Sequence, residues 1–227
     1  MQLVGISLSP YFERAVITLD AKGALDEVEL KLPTANFGTP EAKAVNPTGK
    51  IPYLLLDDGS FLPEGQVIAE YFNDVIDGPS LMPQDPVQAA KAKLLCRTID
   101  LYVGPYTTPL ARTITRGVRD EAAIAHALSD GLPFGIDLLE SHITGDSFAV
   151  GESFSLGDAA LIPHMFHFRT FLKEFNISVF EGRPKLTAWW ERHKESDIVK
   201  KSHARMMASL QFLIERARAQ KEQAAAR

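Results

Sequence analysis

A proline-rich break near residue 80 divides this chain into two parts with different sequence patterns. Three prolines and a glycine fall within residues 77–86, a composition typical of a linker. Before the break, short apolar runs alternate with helical patterns, whereas every strong pattern after it is helical. We therefore predict a first domain over residues 1–77, a linker over 78–86, a second domain over 87–220 and a frayed tail at 221–227.

The first part predicts the element order βαβαββα. Its strands are predicted at residues 3–8, at 28–32 and in a hairpin over 52–62, with Asp58-Gly59 in the hairpin turn. Its helices are predicted at residues 10–22, 39–45 and 67–76. This order implies a small mixed sheet with helices on its faces, an α/β arrangement.

The second part predicts an all-α domain. Its helical segments are predicted at residues 87–116, 120–143, 155–173, 184–195 and 197–219. Gly104-Pro105 lies inside the first segment and should bend it. Ser155 and Asp158 are spaced as a capping box at the start of the third. We interpret this box as structural and expect its loss to cost about 1 kcal/mol.

Composition and charge exclude several classes of function. The net charge of −5 argues against a nucleic-acid-binding domain, and residues 1–78 alone carry 5 basic against 12 acidic residues. The single cysteine, Cys96, excludes an intrachain disulfide, a CxxC redox pair and a cysteine metal cluster, and its helical context favours a buried thiol. No targeting segment or apolar run of membrane-spanning length is present, so we expect a soluble, cytoplasmic protein without a membrane partner.

Histidine spacing does not predict a metal site. His164 and His167 share a helix face, but no recognisable motif supplies a third ligand. We therefore interpret the six histidines as residues of helix surfaces. Phosphate-binding glycine loops and the GxSxG nucleophile elbow are also missing from the sequence.

Ser9-Pro10 is the first candidate for chemistry. Serine is a preferred helix N-cap and proline a preferred first helical residue, so Ser9 should lie where the first strand leads into the first helix. A helix N-terminus offers unpaired N–H groups and a partial positive charge, which favour an anion. A hydroxyl there can donate a hydrogen bond to that anion. The alternative is that Ser9 only caps the helix.

Two further dipeptides could bind a ligand. Pro52 opens a strand, where proline marks an edge strand or a cis peptide bond. A cis bond would present the Ile51 backbone to an extended ligand. The alternative is a trans proline. Glu64-Gly65 precedes a helix, so the carboxylate could receive an ammonium group while nearby backbone N–H groups hold a carboxylate. The alternative is ordinary capping by an acidic residue.

Taken in order, these features resemble the cytosolic glutathione S-transferase family over nearly the whole chain. The resemblance rests on Ser-Pro-Tyr at residues 9–11, on Asn-Pro-Thr-Gly-Lys-Ile-Pro at 46–52 and on the capping box at 155–158. The start is similar to the serine-type, tau-like classes and to the omega class, in which cysteine stands in place of Ser9. The resemblance implies a thioredoxin-like N-terminal domain, an all-helical C-terminal domain, glutathione as co-substrate and a homodimer.

The resemblance also implies roles for individual residues. Ser9 would hydrogen-bond the glutathione sulfur and favour the thiolate, as the catalytic residue. Ile51, before a cis Pro52, would pair with the cysteinyl backbone, and Lys50 would bind the glycyl carboxylate. Glu64 and Gly65 would hold the γ-glutamyl end. The family usually has serine in place of Gly65, so we expect glutathione binding weaker by about one hydrogen bond, roughly 1 kcal/mol.

The acceptor would bind between the two domains. We predict Tyr11 and Tyr106 as lining residues, with Arg112 and Arg116 as anchors for an acidic acceptor; the alternative is that all four only pack or lie on the surface. The predicted function is transfer of glutathione to a small hydrophobic electrophile. The alternative is a transferase-like carrier or docking module without catalysis. A thioredoxin-type disulfide oxidoreductase is nearly excluded because the cysteine motif is missing.

Overall fold

A four-stranded mixed sheet forms the centre of the N-terminal part in the computed structural model, which describes residues 1–35 and 38–225. The strands are β1 (Gln2–Val4), β2 (Glu29–Lys31), β3 (Tyr53–Leu55) and β4 (Phe61–Pro63), in the spatial order β2-β1-β3-β4. Strand β1 is parallel to β2 and antiparallel to β3, which pairs with β4 across the predicted hairpin. The helices are α1 (Pro10–Lys22), α2 (Pro40–Val45) and α3 (Gly65–Val75). The predicted βαβαββα order is confirmed.

The first strand is shorter than predicted, and this shortening places Ser9. Strand β1 ends at Val4, after which the Gly5 N–H still donates to the Lys31 carbonyl over 2.9 Å. A β-carbon on Gly5 would lie 2.2 Å from the Phe12 ring, so only glycine allows α1 to pack this closely. The chain then turns, with the Ser9 N–H donating to the Ile6 carbonyl over 2.9 Å. Ser9 is thereby held at the end of the sheet, where α1 begins.

The C-terminal part is helical, as predicted. Its helices are α4 (Pro86–Thr98), α5 (Gly104–Arg116), α6 (Glu121–His126), α7 (Leu132–His142), α8 (Leu156–Phe171), α9 (Pro184–His193) and α10 (Asp197–Ala225). Two predicted helical segments are each interrupted by a π-helical turn, at Ile99–Val103 and Ala127–Gly131. Each turn precedes a proline near the start of the next helix, and proline cannot donate the backbone hydrogen bond that a continuous α-helix requires. Helix α10 continues into the predicted tail as far as Ala225, and residues 226–227 lie outside the described residues.

Helix α1 lies at the boundary between the two domains. One of its sides packs against α3 and the sheet, while the other meets α8 and α10. Buried polar side chains join it to the helical domain: Arg14 pairs with Asp100, and Arg205 pairs with Glu13 at 2.8 Å. Burial raises the pKa of Glu13 to about 7, although Arg205 opposes this shift. The two domains are therefore connected through charged groups as well as through apolar packing.

The capping box predicted at the start of α8 is confirmed. The Ser155 hydroxyl oxygen accepts from the Gly157 N–H, and the Asp158 carboxylate accepts from the Ser155 N–H at 3.0 Å. Asp158 is fully buried and also accepts from the Ala149 N–H and the Trp189 indole, each at 2.8 Å. The box therefore ties three segments together rather than only ending one helix.

Among the described helices, none combines the length and the apolar character that crossing a membrane would require.

Candidate active site

A cleft of about 200 Å³ opens between the two domains beside Ser9. One wall is the turn between β1 and α1 together with Ile51, and the opposite wall is α5. The floor includes His167 and Phe171 of α8 and Leu213 of α10. The structure therefore brings Ser9 and Ile51, which are far apart in the sequence, to one site.

Ser9 is half-buried at the N-terminus of α1. Its hydroxyl oxygen accepts a long hydrogen bond of 3.4 Å from the Phe12 N–H, as expected of an N-cap. No hydrogen bond donated by this hydroxyl is found within the described ranges 1–35 and 38–225. Because accepting and donating use different parts of a hydroxyl, Ser9 can cap α1 and still donate a hydrogen bond to a ligand.

The loop before Ile51 is shaped by a buried asparagine. The Asn46 side chain donates to the Lys50 carbonyl at 3.0 Å and accepts from the Thr48 N–H at 3.1 Å. The Ile51–Pro52 peptide bond is cis, which confirms that prediction. Lys50 is exposed beside the cleft wall formed by Ile51.

Glu64 has a backbone conformation that is rare for a residue with a side chain. Its φ angle is +72°, and it precedes α3 without making a side-chain capping bond. The interpretation of Glu64 as an ordinary capping acid is therefore wrong. Such a φ angle costs about 1 kcal/mol or more and is concentrated at functional sites. The exposed Glu64 carboxylate is left available to a ligand.

Gly65 is required by the close approach of α1 and α3. A β-carbon at this position would lie 2.3 Å from the Tyr11 carbonyl oxygen, which is backbone and cannot rotate away. The serine usual in the family would therefore not fit here without moving one helix. Glycine at this position has a packing cause that the sequence alone did not reveal.

We expect Gly65→Ser to destabilise the protein rather than to restore a binding hydroxyl. Forcing a β-carbon into this contact should lower the free energy of unfolding by about 1–3 kcal/mol. Gly65→Ala is the matched control, because it adds the β-carbon without the hydroxyl. Urea unfolding and calorimetric titration with glutathione should show similar losses for both variants. A Gly65→Ser protein of unchanged stability that binds glutathione more tightly than wild type would contradict this expectation.

Three of the four predicted acceptor residues line the cleft. Arg112 and Arg116 lie one turn apart on α5, opposite Tyr11. Tyr106 lies outside the cleft, because its ring covers Gly131 and meets His126 with ring centroids 5.4 Å apart. Tyr106 instead lines a neighbouring groove with His126, and Arg112 lines both this groove and the cleft.

Tyr11 offers its ring to the cleft, whereas its hydroxyl is packed against another helix. A β-carbon on Gly104 would lie 1.8 Å from the Tyr11 hydroxyl oxygen, so the phenol fills the space that this glycine leaves. Burial raises the pKa of Tyr11 to about 12, and the phenol is therefore neutral at physiological pH. Tyr11 joins the two domains at the same time as it shapes the cleft.

The interpretation of His164 and His167 as surface residues is wrong, because both are buried. Helix α8 carries apolar residues on all its sides, a pattern that indicates a buried helix and could have revealed this. Burial lowers the pKa of His167 to about 4, so its ring is neutral. Its Nε2 lies 2.8 Å from the Leu8 carbonyl oxygen and donates to it. His167 thus supports the backbone directly before Ser9.

The remaining candidates are the single cysteine and the side chains that could bind a metal ion. Cys96 is buried, and burial raises the pKa of its thiol to about 12, which confirms the expected buried thiol. Within residues 1–35 and 38–225, no group of three His, Cys, Asp or Glu side chains is arranged to hold a metal ion. The predictions that concern glutathione and the acceptor refer to the cleft beside Ser9 and not to these side chains.

Comparison with known proteins gives matches to both domains of the chain. Models of the glutathione S-transferase N-terminal and C-terminal domains match residues 8–75 and 122–192. A glutathione S-transferase of Pseudomonas putida is 31% identical over 162 residues, covering 70% of this chain and 70% of that protein. The chain belongs to the glutathione S-transferase family. It is accordingly a glutathione transferase with glutathione as co-substrate, as the sequence predicts.

Two further comparisons align most of this chain with most of a known protein. Glutathione S-transferase 3 of Zea mays is 29% identical over 201 residues, covering 84% of this chain and 87% of that protein. The crystal structure of the tau-class glutathione S-transferase of mango, Mangifera indica, superposes with a TM-score of 0.72 at 26% identity, covering 93% of this chain and 96% of that one. The predicted fold, a thioredoxin-like domain followed by a helical glutathione S-transferase domain, is confirmed.

Proposed function

We propose that this transferase is of the serine type and that Ser9 activates the glutathione thiol. The observation that carries the proposal is the Ser9 hydroxyl, which lies in the cleft at the N-terminus of α1 with its proton free to donate. A sulfur atom bound there would accept this hydrogen bond and would also face the positive end of the helix dipole. Both interactions favour the thiolate over the thiol.

The energies involved are sufficient for this role. A free thiol has a pKa near 8.5, and lowering it to about 6.5 requires roughly 2.7 kcal/mol of preferential stabilisation of the thiolate. A hydrogen bond to a charged acceptor contributes about 1.5–3 kcal/mol, and the helix dipole adds several tenths or more. Ser9 and α1 can therefore supply the shift without a general base.

The neighbouring residues would orient glutathione along the sheet edge. In this proposal, the Ile51 backbone pairs with the cysteinyl residue of glutathione. The exposed Lys50 ammonium binds the glycyl carboxylate. Glu64 receives the γ-glutamyl ammonium, and the N–H groups at the start of α3, from Gly65 onwards, hold the carboxylate of the same residue. This arrangement would place the sulfur at Ser9, facing the acceptor cleft.

The reaction would be attack of the thiolate on a small electrophile with an apolar body. The sulfur lone pair forms the new S–C bond, and a leaving group departs with the electron pair of its bond to carbon. With an activated alkene, the π pair moves to the adjacent carbon, which takes a proton from water. Catalysis then comes from the ionised thiol and from proximity, without a covalent enzyme intermediate.

Three substitutions of Ser9 test this proposal. Ser9→Ala removes both the cap and the donor, Ser9→Gly removes the donor but leaves a residue that caps helices nearly as well as serine, and Ser9→Thr keeps both. The thiolate absorbance of bound glutathione, followed against pH, should show a pKa well below 8.5 in wild type and Ser9→Thr, and near 8.5 in the other two. We expect kcat/KM at pH 6.5 to fall by about 10- to 100-fold in Ser9→Ala and Ser9→Gly.

The outcome with glycine separates activation from capping. Wild-type thiol ionisation in Ser9→Gly, which has no side-chain donor, would mean that Ser9 acts only as a cap, and the serine-type mechanism would be wrong. Glutathione binding without turnover of any electrophile would instead support the carrier module. That alternative was suggested by Gly65, whose packing against Tyr11 now explains the glycine without a loss of catalysis.

We propose further that the protein is a cytoplasmic homodimer. Several large apolar side chains are exposed on α4, on the π-helical turn after it and on α7: Leu94, Leu101, Tyr102 and Phe134. The rings of Tyr102 and Phe134 contact each other edge-to-face at 5.9 Å. A second copy of this chain would cover these apolar side chains. The cytoplasmic location rests on the family resemblance.

A further inference from the structure

The charge distribution around the cleft is one-sided. Its floor and much of its walls are apolar, from Leu8, Ala111, Phe171 and Leu213. Arg112 and Arg116 are the charged side chains among the described residues that line it, and they share the α5 wall. The described lining includes no carboxylate. A neutral apolar acceptor bound in the cleft would lie against these arginine side chains and offer no negatively charged group to pair with them.

The other donors of the cleft are already used by the protein. The Thr107 and Thr108 hydroxyls donate to the Gly104 carbonyl, at 3.0 and 2.9 Å. The Thr115 hydroxyl donates to the Ala111 carbonyl at 2.8 Å, in the same helix. The His167 Nε2 donates to the Leu8 carbonyl. The Tyr11 hydroxyl is packed against Gly104, and the proposed function assigns the Ser9 donor to sulfur. Arg112 therefore offers charged side-chain donors to an acceptor.

Arg112 is the better placed of the two arginines to bind an anion. Its guanidinium is exposed, and none of the ion pairs within residues 1–35 and 38–225 involves it. Arg116, one turn further along α5, adds a second positive charge to the same wall whatever else it contacts. Arginine presents a planar fork of donors that fits a carboxylate with two hydrogen bonds.

We propose that the acceptor of this transferase is an amphiphilic anion: an electrophile with an apolar body and one carboxylate. The body lies over Leu8 and Phe171, and the carboxylate pairs with Arg112 at the α5 wall. This inference rests on the proposed function, because it describes the second substrate of the same cleft. It makes α5 the element that selects the acceptor, whereas the sheet domain binds glutathione.

Binding of two matched probes tests the inference without requiring turnover. 3,5-Dinitrobenzoate and 3,5-dinitrobenzamide have nearly the same shape, differ by one negative charge and lack a leaving group. Calorimetric titration into the full-length protein, at saturating glutathione and low salt, should show the benzoate binding at least about tenfold more tightly than the amide. Tenfold corresponds to about 1.4 kcal/mol. Higher salt should reduce this preference.

Arg112→Gln should reduce the preference for the benzoate to about twofold or less. Arg192→Gln is the matched control, since Arg192 is an exposed arginine of α9 that does not line the cleft, and its loss changes the net charge equally. This variant should keep the wild-type ratio. Equal affinities of the two probes in wild type, or an undiminished ratio in Arg112→Gln, would overturn the inference.

The test is independent of thiol activation. A normal glutathione thiol pKa in wild type would refute the role of Ser9, while the ratio of probe affinities would still decide the role of Arg112. Conversely, an ionised thiol with no preference between the probes would leave the proposed function intact and refute the anionic acceptor.

Discussion

Replacing Arg14 with methionine should lower the free energy of unfolding by about 3–5 kcal/mol. The Arg14 side chain is fully buried and binds Asp100 through two hydrogen bonds, of 2.7 and 3.1 Å. It also donates to the Gln66 side chain at 2.9 Å. One guanidinium thus joins α1, α3 and the π-helical turn after α4. Methionine keeps most of the volume but leaves the Asp100 carboxylate, only 17% exposed, without its partner.

The double variant Arg14→Met/Asp100→Leu distinguishes the energy of the pair from the cost of an unpaired charge. Removing both groups should recover much of the stability lost in Arg14→Met, because an apolar pair of similar size needs no counter-charge. Arg14→Lys should recover less, since an ammonium cannot make the same pair of hydrogen bonds and reach Gln66 as well. Urea unfolding of the three variants measures these differences. A loss below about 1 kcal/mol in Arg14→Met would show that this network does not hold the domains together.

Local patterns were sufficient to predict most of the fold. Helix α1 begins at Ser9-Pro10 and ends at Gly23, and the 52–62 hairpin turns near Asp58-Gly59, because caps and turns depend on a few neighbouring residues. The capping box of α8 is local for the same reason. What the sequence could not show is which side of each helix meets the other domain. Helical periodicity alone predicts that the polar face of a helix is exposed to solvent. At the boundary between domains this prediction fails, because polar side chains there are buried.

The errors at the site have this common origin. His164 and His167 are polar residues that the sequence predicts at a helix surface, yet both are buried, as are Glu13 and Arg14 where α1 meets the helical domain. The packing role of Gly65 depends on a backbone contact with Tyr11, from another helix of the same domain. Tyr106 is a different case, because it lies outside the cleft beside Ser9 and shares a neighbouring groove with Arg112. Contacts between distant segments therefore explain most of what sequence reasoning missed.

Replacing Asp158 with alanine should destabilise the protein by about 4 kcal/mol or more, far beyond the loss of a simple helix cap. The carboxylate accepts four hydrogen bonds: from the Ser155 N–H and hydroxyl, the Ala149 N–H and the Trp189 indole. Alanine would leave these donors buried without a partner, and each unsatisfied donor costs about 1–3 kcal/mol. The loop before α8, the helix itself and α9 would lose their common contact.

Graded substitutions at the box separate capping from this wider role. Ser155→Ala removes the capping hydroxyl but keeps the carboxylate, so it should cost only about 1–2 kcal/mol. Asp158→Asn keeps one acceptor for Ala149 and Trp189 but turns an amide NH₂ toward the Ser155 N–H, so its loss should be intermediate. Urea unfolding gives the order, and indole fluorescence reports on Trp189. Equal losses of unfolding free energy in Ser155→Ala and Asp158→Ala would mean that Asp158 only caps α8. The predicted order would mean that a capping box recognisable from four residues organises the centre of the helical domain.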